Sequence, residues 1–192
     1  MEKIGLTGIT KQFYLAGGTA LALYLGHRES IDLDWFSDQS FSNDDLKKEL
    51  STQGVFELDR EDKDTILGVL DRVKISFFRY NYALVYPPVD FNGIKLSSEQ
   101  DIAAMKIDAI SSRGSKKDFI DIYFLLQKYS LRELIDFFER RYSGIKFNRL
   151  HILKSLIYFD DAEKQPEPIM LKEFDWKKAK DFIEKTVKEY LK

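Results

Sequence analysis

A glycine pair followed by two alternating carboxylates is the feature of this sequence that most constrains its fold. Apolar residues around Leu15 predict a short strand that ends at Gly17 and Gly18. Further along the chain, apolar residues alternate with Asp32 and Asp34. Side chains two positions apart on a strand lie on the same face of a sheet. The sequence therefore predicts a strand, a glycine turn, a short helix and a second strand that carries both carboxylates on one face.

This segment also predicts a site for phosphates and a metal ion. Glycines let the backbone approach phosphate oxygens, and the first N–H groups of a helix over Thr19–Gly26 would point at the same anion. Ile31, Leu33 and Trp35 are predicted to enter the core, which leaves the two carboxylates together on the opposite face. Mg²⁺ is bound by one or two carboxylates plus substrate phosphates. The simpler interpretation, a strand with its acids in water, explains the acids alone but not the glycine pair.

The same residues resemble a known superfamily. Gly17-Gly18-Thr19 followed by Asp32-Leu33-Asp34-Trp35 is similar to the signature of polymerase-beta-type nucleotidyltransferases. The longer string, which adds Ala20 and Leu21 and then His27, Arg28, Ser30 and Phe36, resembles one branch more closely, the AbiEii/AbiGii toxin family. The resemblance covers about two thirds of the chain, from Phe13 to Leu126.

A second motif downstream supports that branch. Lys106, Arg113 and the run Lys117-Asp118-Phe119-Ile120-Asp121 resemble the family's helical motifs. Spacings of three and four residues place the lysine and the arginine on one helix face, and Gly114 with Ser115 predicts the end of one helix and the start of the next. Asp121 on a partly apolar helix face needs a cationic partner, either Lys106 or Arg113. A plain buried ion pair would satisfy the same pattern, and Asp118 fits a capping box with Ser115.

The resemblance implies transfer of a nucleoside monophosphate from a nucleoside triphosphate (NTP) to an acceptor hydroxyl. Asp32 and Asp34 would hold Mg²⁺ or Mn²⁺, and Lys106 would offset developing charge while Asp121 or Asp118 orients it. For His27, a contact with a helix C-terminus is the more favoured interpretation. The predicted nucleotide-binding residues are Gly17, Gly18, Thr19, Arg28, Ser30, Lys74 and Arg113.

The sequence departs from the superfamily pattern at one position. Many members carry a third carboxylate on a later strand, and the corresponding strand here offers Ser76. Lys74 shares a face with Ser76 by alternation and is predicted to border the site. A protein general base at this position is therefore missing, which leaves reliance on the metal ion, on another acid, or a weak or inactive enzyme as alternatives.

Composition bounds the remaining choices. The chain has 192 residues, of which 44% are hydrophobic and 32% are charged, and a net charge of -2. These values predict a folded chain without a generally basic nucleic-acid-binding surface, so that any RNA contact must come from a local patch. The absence of cysteine excludes disulfides and thiolate metal sites, and no apolar run predicts a signal peptide or membrane span. We expect a cytoplasmic protein.

We predict an α+β fold in two domains. Residues 1–96 would form a nucleotidyltransferase-like lobe with a mixed sheet flanked by helices, and residues 97–192 a helical lobe. The functional prediction is a toxin of a toxin–antitoxin or phage-defence system that modifies tRNA or another RNA and has a cognate antitoxin. A small-molecule nucleotidyltransferase and an inactive nucleotidyltransferase-like binding module remain the alternatives.

Overall fold

The computed structural model describes residues 8–192, without the side chains of Ile9 and Thr10. The described chain divides into two compact units. The first contains the chain up to Ala20 together with Ser30–Ser98, and the second contains Leu21–Glu29 and Glu99–Lys192. The division into domains at residue 96 stays a prediction. The sequence predicts an opening helix over residues 3–11, and the part of it before residue 8 lies outside the described residues.

A mixed sheet of seven described strands forms most of the first unit. The strands run in the order β3-β4-β5-β2-β1-β7-β6, and the pairs β2/β5 and β1/β7 are parallel while the other neighbours are antiparallel. The elements up to residue 98 are α1 (Ile9–Gln12), β1 (Tyr14–Ala16), α2 (Gly17–Leu25), β2 (Leu33–Ser37), α3 (Asn43–Gln53), β3 (Phe56–Asp62), β4 (Thr65–Leu70), β5 (Val73–Arg79), β6 (Val89–Phe91) and β7 (Ile94–Leu96).

Strand β2 is the fourth of the seven strands in the sheet, and its apolar side chains pack in the core. Leu33 and Trp35 are buried, and the Trp35 ring stacks on Phe77 of β5 with a centroid distance of 6.2 Å. The prediction for Ile31 is wrong, since this side chain is 75% exposed. The strand begins at Leu33, so the alternation that the sequence pattern projected back to residue 31 does not apply there.

Two tight turns in the first unit have left-handed backbone conformations. Asp71 and Arg72 have φ of 46° and 71°, and they join β4 to β5 at the predicted turn. Asn92 and Gly93 have φ of 52° and 78° and join β6 to β7. The sequence predicts a single strand over Val89–Leu96, and this prediction is wrong because the segment forms two strands. Asn-Gly favours a two-residue turn with two positive φ angles, and this signal splits the segment into a hairpin.

The second unit is helical after residue 98. Its helices are α4 (Glu99–Ser112), α5 (Lys116–Leu126), α6 (Leu131–Arg141), α7 (Arg149–Ser155), α8 (Asp160–Glu163) and α9 (Trp176–Tyr190). The predicted helical hairpin is present, because Gly114 has a φ of +54° after α4 and the Ser115 side chain caps the start of α5. The α+β class is confirmed. None of the described helices has the length and apolar character needed to cross a membrane.

Candidate active site

The glycine turn and the two carboxylates lie together in the first unit. Strand β1 ends with Ala16 paired to Asp34 of β2, so the next residue, Gly17, passes directly over the aspartate. Gly17 has a φ of +72°, and a Cβ atom built there would lie 2.7 Å from Asp34 Oδ2. Glycine is required at this position for two reasons, the left-handed backbone and the missing side chain. The backbone and the carboxylate are therefore held in close contact.

The first turn of α2 is tied to the segment before β2. Thr19 Oγ1 lies 2.5 Å from the Asp32 carbonyl oxygen and 2.9 Å from Ser30 Oγ. Thr19 is buried, Ser30 and Gly18 are half-buried, and Asp32 is exposed. These contacts fix the start of a helix, with its N–H groups, against the segment that carries the acids. A helix start of this kind favours anions.

The donor set around Asp34 consists of oxygen atoms. Asp32 is exposed, Asp34 is half-buried, and Ser76 of β5 is paired with Asp34 in the sheet register. Lys74 is exposed two residues before Ser76. Among residues 8–192 no cluster of three or more His, Cys, Asp and Glu side chains could hold a metal by itself. Two carboxylates with hydroxyl groups nearby fit Mg²⁺ when substrate phosphates supply the remaining ligands.

A separate cluster of charged side chains lies inside the second unit, around Asp121. Arg28 donates to both carboxylate oxygens of Asp121, from Nε at 2.7 Å and from Nη2 at 2.9 Å. His27 Nε2 lies 2.7 Å from Asp121 Oδ1, and Lys106 Nζ lies 2.6 Å from Asp121 Oδ2. Arg28 is 2% exposed, and Asp121 and His27 are fully buried. Three basic side chains therefore surround one buried carboxylate.

Asp118 extends this cluster towards the surface. Lys106 Nζ donates to Asp118 Oδ1 at 2.9 Å, and Arg113 Nε donates to Asp118 Oδ2 at 3.3 Å. Ser115 Oγ donates to the same Oδ2 at 2.5 Å and accepts from the Asp118 N–H. The Arg113 side chain is 70% exposed, whereas that of Lys106 is 8% exposed. Lys106 therefore bridges two carboxylates, and Asp118 both caps α5 and holds the lysine.

The electrostatics of the cluster favour its charged forms. Burial alone would raise the pKa of Asp121, but Lys106, His27 and Arg28 hold this pKa well below its usual range. Burial alone would also raise the pKa of Asp118, but Lys106 and Ser115 lower this pKa below its usual value. Burial opposes the charged form of Lys106, yet Asp121 and Asp118 together raise its pKa. Both aspartates are ionised and the lysine is protonated at neutral pH.

The structure groups the predicted site residues into two sets. The first set lies in the first unit and consists of Gly17, Gly18, Thr19, Ser30, Asp32 and Asp34, with Lys74 on the neighbouring strand. The second set lies in the second unit and consists of Arg28, Lys106, Arg113, Asp118 and Asp121. The predicted partner of Asp121, Lys106, is present. Arg28 donates to Asp121 from Nε and Nη2 and to the Glu29 carbonyl oxygen from Nη1, and its role in nucleotide binding stays a prediction. His27 binds Asp121 rather than a helix end; the two residues are 94 positions apart, and the local sequence carried no signal for this pairing.

Comparisons with known proteins identify the family of this chain. Residues 2–190 match the family described as "Nucleotidyl transferase AbiEii toxin, Type IV TA system". An uncharacterized protein of Aquifex aeolicus (strain VF5), aq_aa25, is 39% identical over 201 residues, which covers 100% of this chain and 94% of the relative.

Solved structures share the fold at low sequence identity. JHP933 from Helicobacter pylori has a TM-score of 0.59 and 14% identity, with 98% of this chain and 85% of that chain covered. MenT4, the nucleotidyltransferase toxin Rv2826c from Mycobacterium tuberculosis H37Rv, has a TM-score of 0.57 and 13% identity, with coverages of 93% and 76%. The family match over nearly the whole chain, with the glycine turn packed against Asp34, places the protein in the AbiEii family of nucleotidyl transferase toxins.

Proposed function

We propose that this nucleotidyltransferase moves a nucleoside monophosphate from an NTP to a hydroxyl of an RNA acceptor, such as a tRNA 3′ end. The observation that carries the proposal is the contact between the Gly17 backbone and Asp34, with Thr19 bonded to the Asp32 carbonyl. These contacts support a site that combines an anion-binding backbone with two carboxylates. The proposed biological role is that of a toxin controlled by a cognate antitoxin.

Each candidate site residue of the first unit has a proposed role. Gly17, Gly18 and the start of α2 bind phosphate oxygens through backbone N–H groups, and Thr19 with Ser30 orients that turn. Asp32 and Asp34 hold Mg²⁺ or Mn²⁺. A bound divalent ion neutralises phosphate charge and makes the acceptor hydroxyl more acidic. Lys74, exposed beside Ser76, supplies a further cation for phosphates.

In the proposed reaction the acceptor oxygen forms a bond to the α-phosphorus. The bond from that phosphorus to the bridging oxygen breaks, pyrophosphate leaves, and the acceptor proton is released. No acidic side chain stands at residue 76 to take this proton. In the second unit, Arg113 has the exposure to meet an anion, whereas Asp118 and Asp121 hold Lys106 in place and Arg28 holds Asp121. Lys106 is proposed to offset negative charge in the transition state.

The test is transfer of label from each α-labelled NTP to total RNA in the presence of Mg²⁺. We expect labelled RNA with the wild-type protein and a loss of about a hundredfold or more with Asp34→Asn, since one carboxylate of the metal site is removed. Asp59→Asn is the matched control, because Asp59 is an exposed acid on β3 of the same unit. Label on a small-molecule fraction instead of RNA would favour the small-molecule enzyme, and no label in any fraction would contradict the transferase proposal.

A further inference from the structure

A cleft in the second unit borders the Asp121 cluster at Arg113, and its other lining residues have no assigned role. It has a volume of about 350 Å³ and lies between the C-terminal end of α4 and the segment from α7 to α8. We call it the Tyr158 cleft and define it by Ile110, Arg113, His151, Lys154, Tyr158 and Asp161. Cavities of this size suit small organic ligands of about the size of one nucleotide.

Two cationic side chains at this cleft are available to an anion. The Arg113 side chain is 70% exposed and bonds Asp118 through Nε at 3.3 Å, while its two terminal nitrogens donate to no described residue. Lys154 is exposed and forms no ion pair with any residue in the range 8–192. Asp161 is the acid among the lining residues. A planar guanidinium and an ammonium group together suit phosphate oxygens.

Tyr158 gives the cleft an aromatic wall. Its side chain is 56% exposed, and within the described chain its ring stacks on no other aromatic ring. Ile110 is 4% exposed and contributes an apolar surface. Bases of single-stranded nucleic acids stack on exposed aromatic rings of this kind, next to basic groups that contact the backbone.

Hydrogen-bond acceptors complete the lining. The hydroxyl groups of Ser111 and Ser112 donate to the Asp108 carbonyl oxygen, which leaves their own oxygen lone pairs as acceptors. Asp161 adds a carboxylate. Acceptors of this type suit the amino and imino groups of a base, while phosphates would lie at Arg113 and Lys154. The cleft thus combines the three contacts that a nucleotide needs.

On the competing basic surface, formed by the lysines of α9, three of the five lysines lie in ion pairs. Lys180 pairs with Glu163, Lys188 with Glu184 at 3.1 Å, and Lys185 lies 3.9 Å from Glu189. Such pairs reduce the attraction for a polyanion. We therefore infer that the Tyr158 cleft binds one nucleotide of the single-stranded acceptor RNA, with its base on Tyr158 and its phosphates at Arg113 and Lys154. This inference rests on the proposed RNA acceptor.

The test is fluorescence anisotropy of the full chain with a labelled, unstructured single-stranded RNA at several salt concentrations. Tyr158→Ala should weaken binding about tenfold through loss of stacking, and Tyr158→Phe should retain most of the affinity. Lys154→Gln should lower the slope of log K against log salt by about 0.7, the value for one phosphate contact on a single strand. Lys63→Gln, at an exposed lysine of the β3–β4 turn, is the matched control and should leave binding unchanged.

Three outcomes would overturn the inference. The first is an RNA affinity equal to that of the wild type in both Tyr158→Ala and Lys154→Gln. The second is a larger loss of RNA affinity in Lys178→Gln of α9 than in either cleft variant. The third is binding of a free nucleoside monophosphate to the cleft at the same concentration at which the RNA binds. NTP binding, followed by equilibrium dialysis, should be the same in all variants. If the wild type transfers nucleotides to RNA but the cleft variants keep the wild-type RNA affinity, only the inference about the cleft is contradicted. If RNA binds at the cleft but no nucleotide is transferred to it, only the proposed function is contradicted.

Discussion

Gly17 and Gly26 both have a positive φ, 72° and 56°, but they differ in their surroundings. A Cβ at Gly17 would lie 2.7 Å from Asp34 Oδ2, whereas a Cβ at Gly26 would meet no atom within 4 Å. Both Gly→Ala variants introduce a left-handed alanine, at about 1–2 kcal/mol. Only Gly17→Ala also displaces the carboxylate. We therefore expect both to lower the melting temperature and only Gly17→Ala to abolish nucleotide transfer; equal activity of the two variants would contradict this role of Gly17.

The buried charge of Asp121 should contribute to the stability of the second unit. Asp121→Asn leaves Lys106, Arg28 and His27 without their common carboxylate. Breaking a buried ion pair from one side typically lowers the free energy of unfolding by about 3–5 kcal/mol. Asp136→Asn is the control, because its pair with Arg140 is exposed and such pairs contribute about 0.3–0.5 kcal/mol. Urea unfolding at neutral pH measures both, and comparable losses would contradict the prediction.

The same residue predicts a pH dependence of stability. The pKa of Asp121 is lowered in the folded chain, as is that of Asp118. A lowered carboxyl pKa stabilises the folded state at pH values above the unfolded pKa of about 3.9, and this contribution is lost as pH falls further. The difference in unfolding free energy between wild type and Asp121→Asn should therefore shrink as the pH falls below about 4. A gap that widens in acid would contradict the assigned charge state.

At the scale of the helix, two serine caps differ in one contact. Ser42 Oγ accepts from the Asp45 N–H at 3.2 Å, and Ser115 Oγ accepts from the Asp118 N–H at 3.3 Å. Ser115 Oγ also donates to the Asp118 carboxylate at 2.5 Å. Ser42→Ala should lower the free energy of unfolding by about 1 kcal/mol. Ser115→Ala should lower it by about 1–2 kcal/mol more, because it also removes a hydrogen bond to a charged group; a smaller effect than that of Ser42→Ala would contradict this.

Predictability from sequence also depends on the element considered. Local signals were sufficient for the Ser115 cap and for the helical hairpin, because each depends on residues within a few positions. Apolar alternation failed at Ile31, where the residue type favoured burial but the strand had not begun. The convergence of His27 and Arg28 on Asp121 could not be predicted, since it depends on how distant segments of the chain pack.

At the scale of the whole molecule, the net charge of -2 offers little general attraction for a polyanion. Binding of triphosphate or RNA must therefore depend on local groups, and it should respond to single substitutions rather than to the total charge. The glycine turn with its acids and the Tyr158 cleft are two such local groups in the described residues. Thermal unfolding of the whole chain can report occupancy of the first, because a ligand that binds only the folded state raises the melting temperature.

Ser76 supplies the last prediction, because it is paired with Asp34 on the neighbouring strand β5. Ser76→Asp adds a third carboxylate to the site, next to Asp34 in the sheet register, and neighbouring like charges are destabilising without a counter-ion. We expect a lower melting temperature than wild type without Mg²⁺ and a larger rise on adding Mg²⁺ with NTP; tenfold tighter metal binding corresponds to about 1.4 kcal/mol. Ser76→Asn has a similar size without the charge and should respond like wild type. An equal response of the aspartate and asparagine variants would show that a metal ion does not bind beside Asp34.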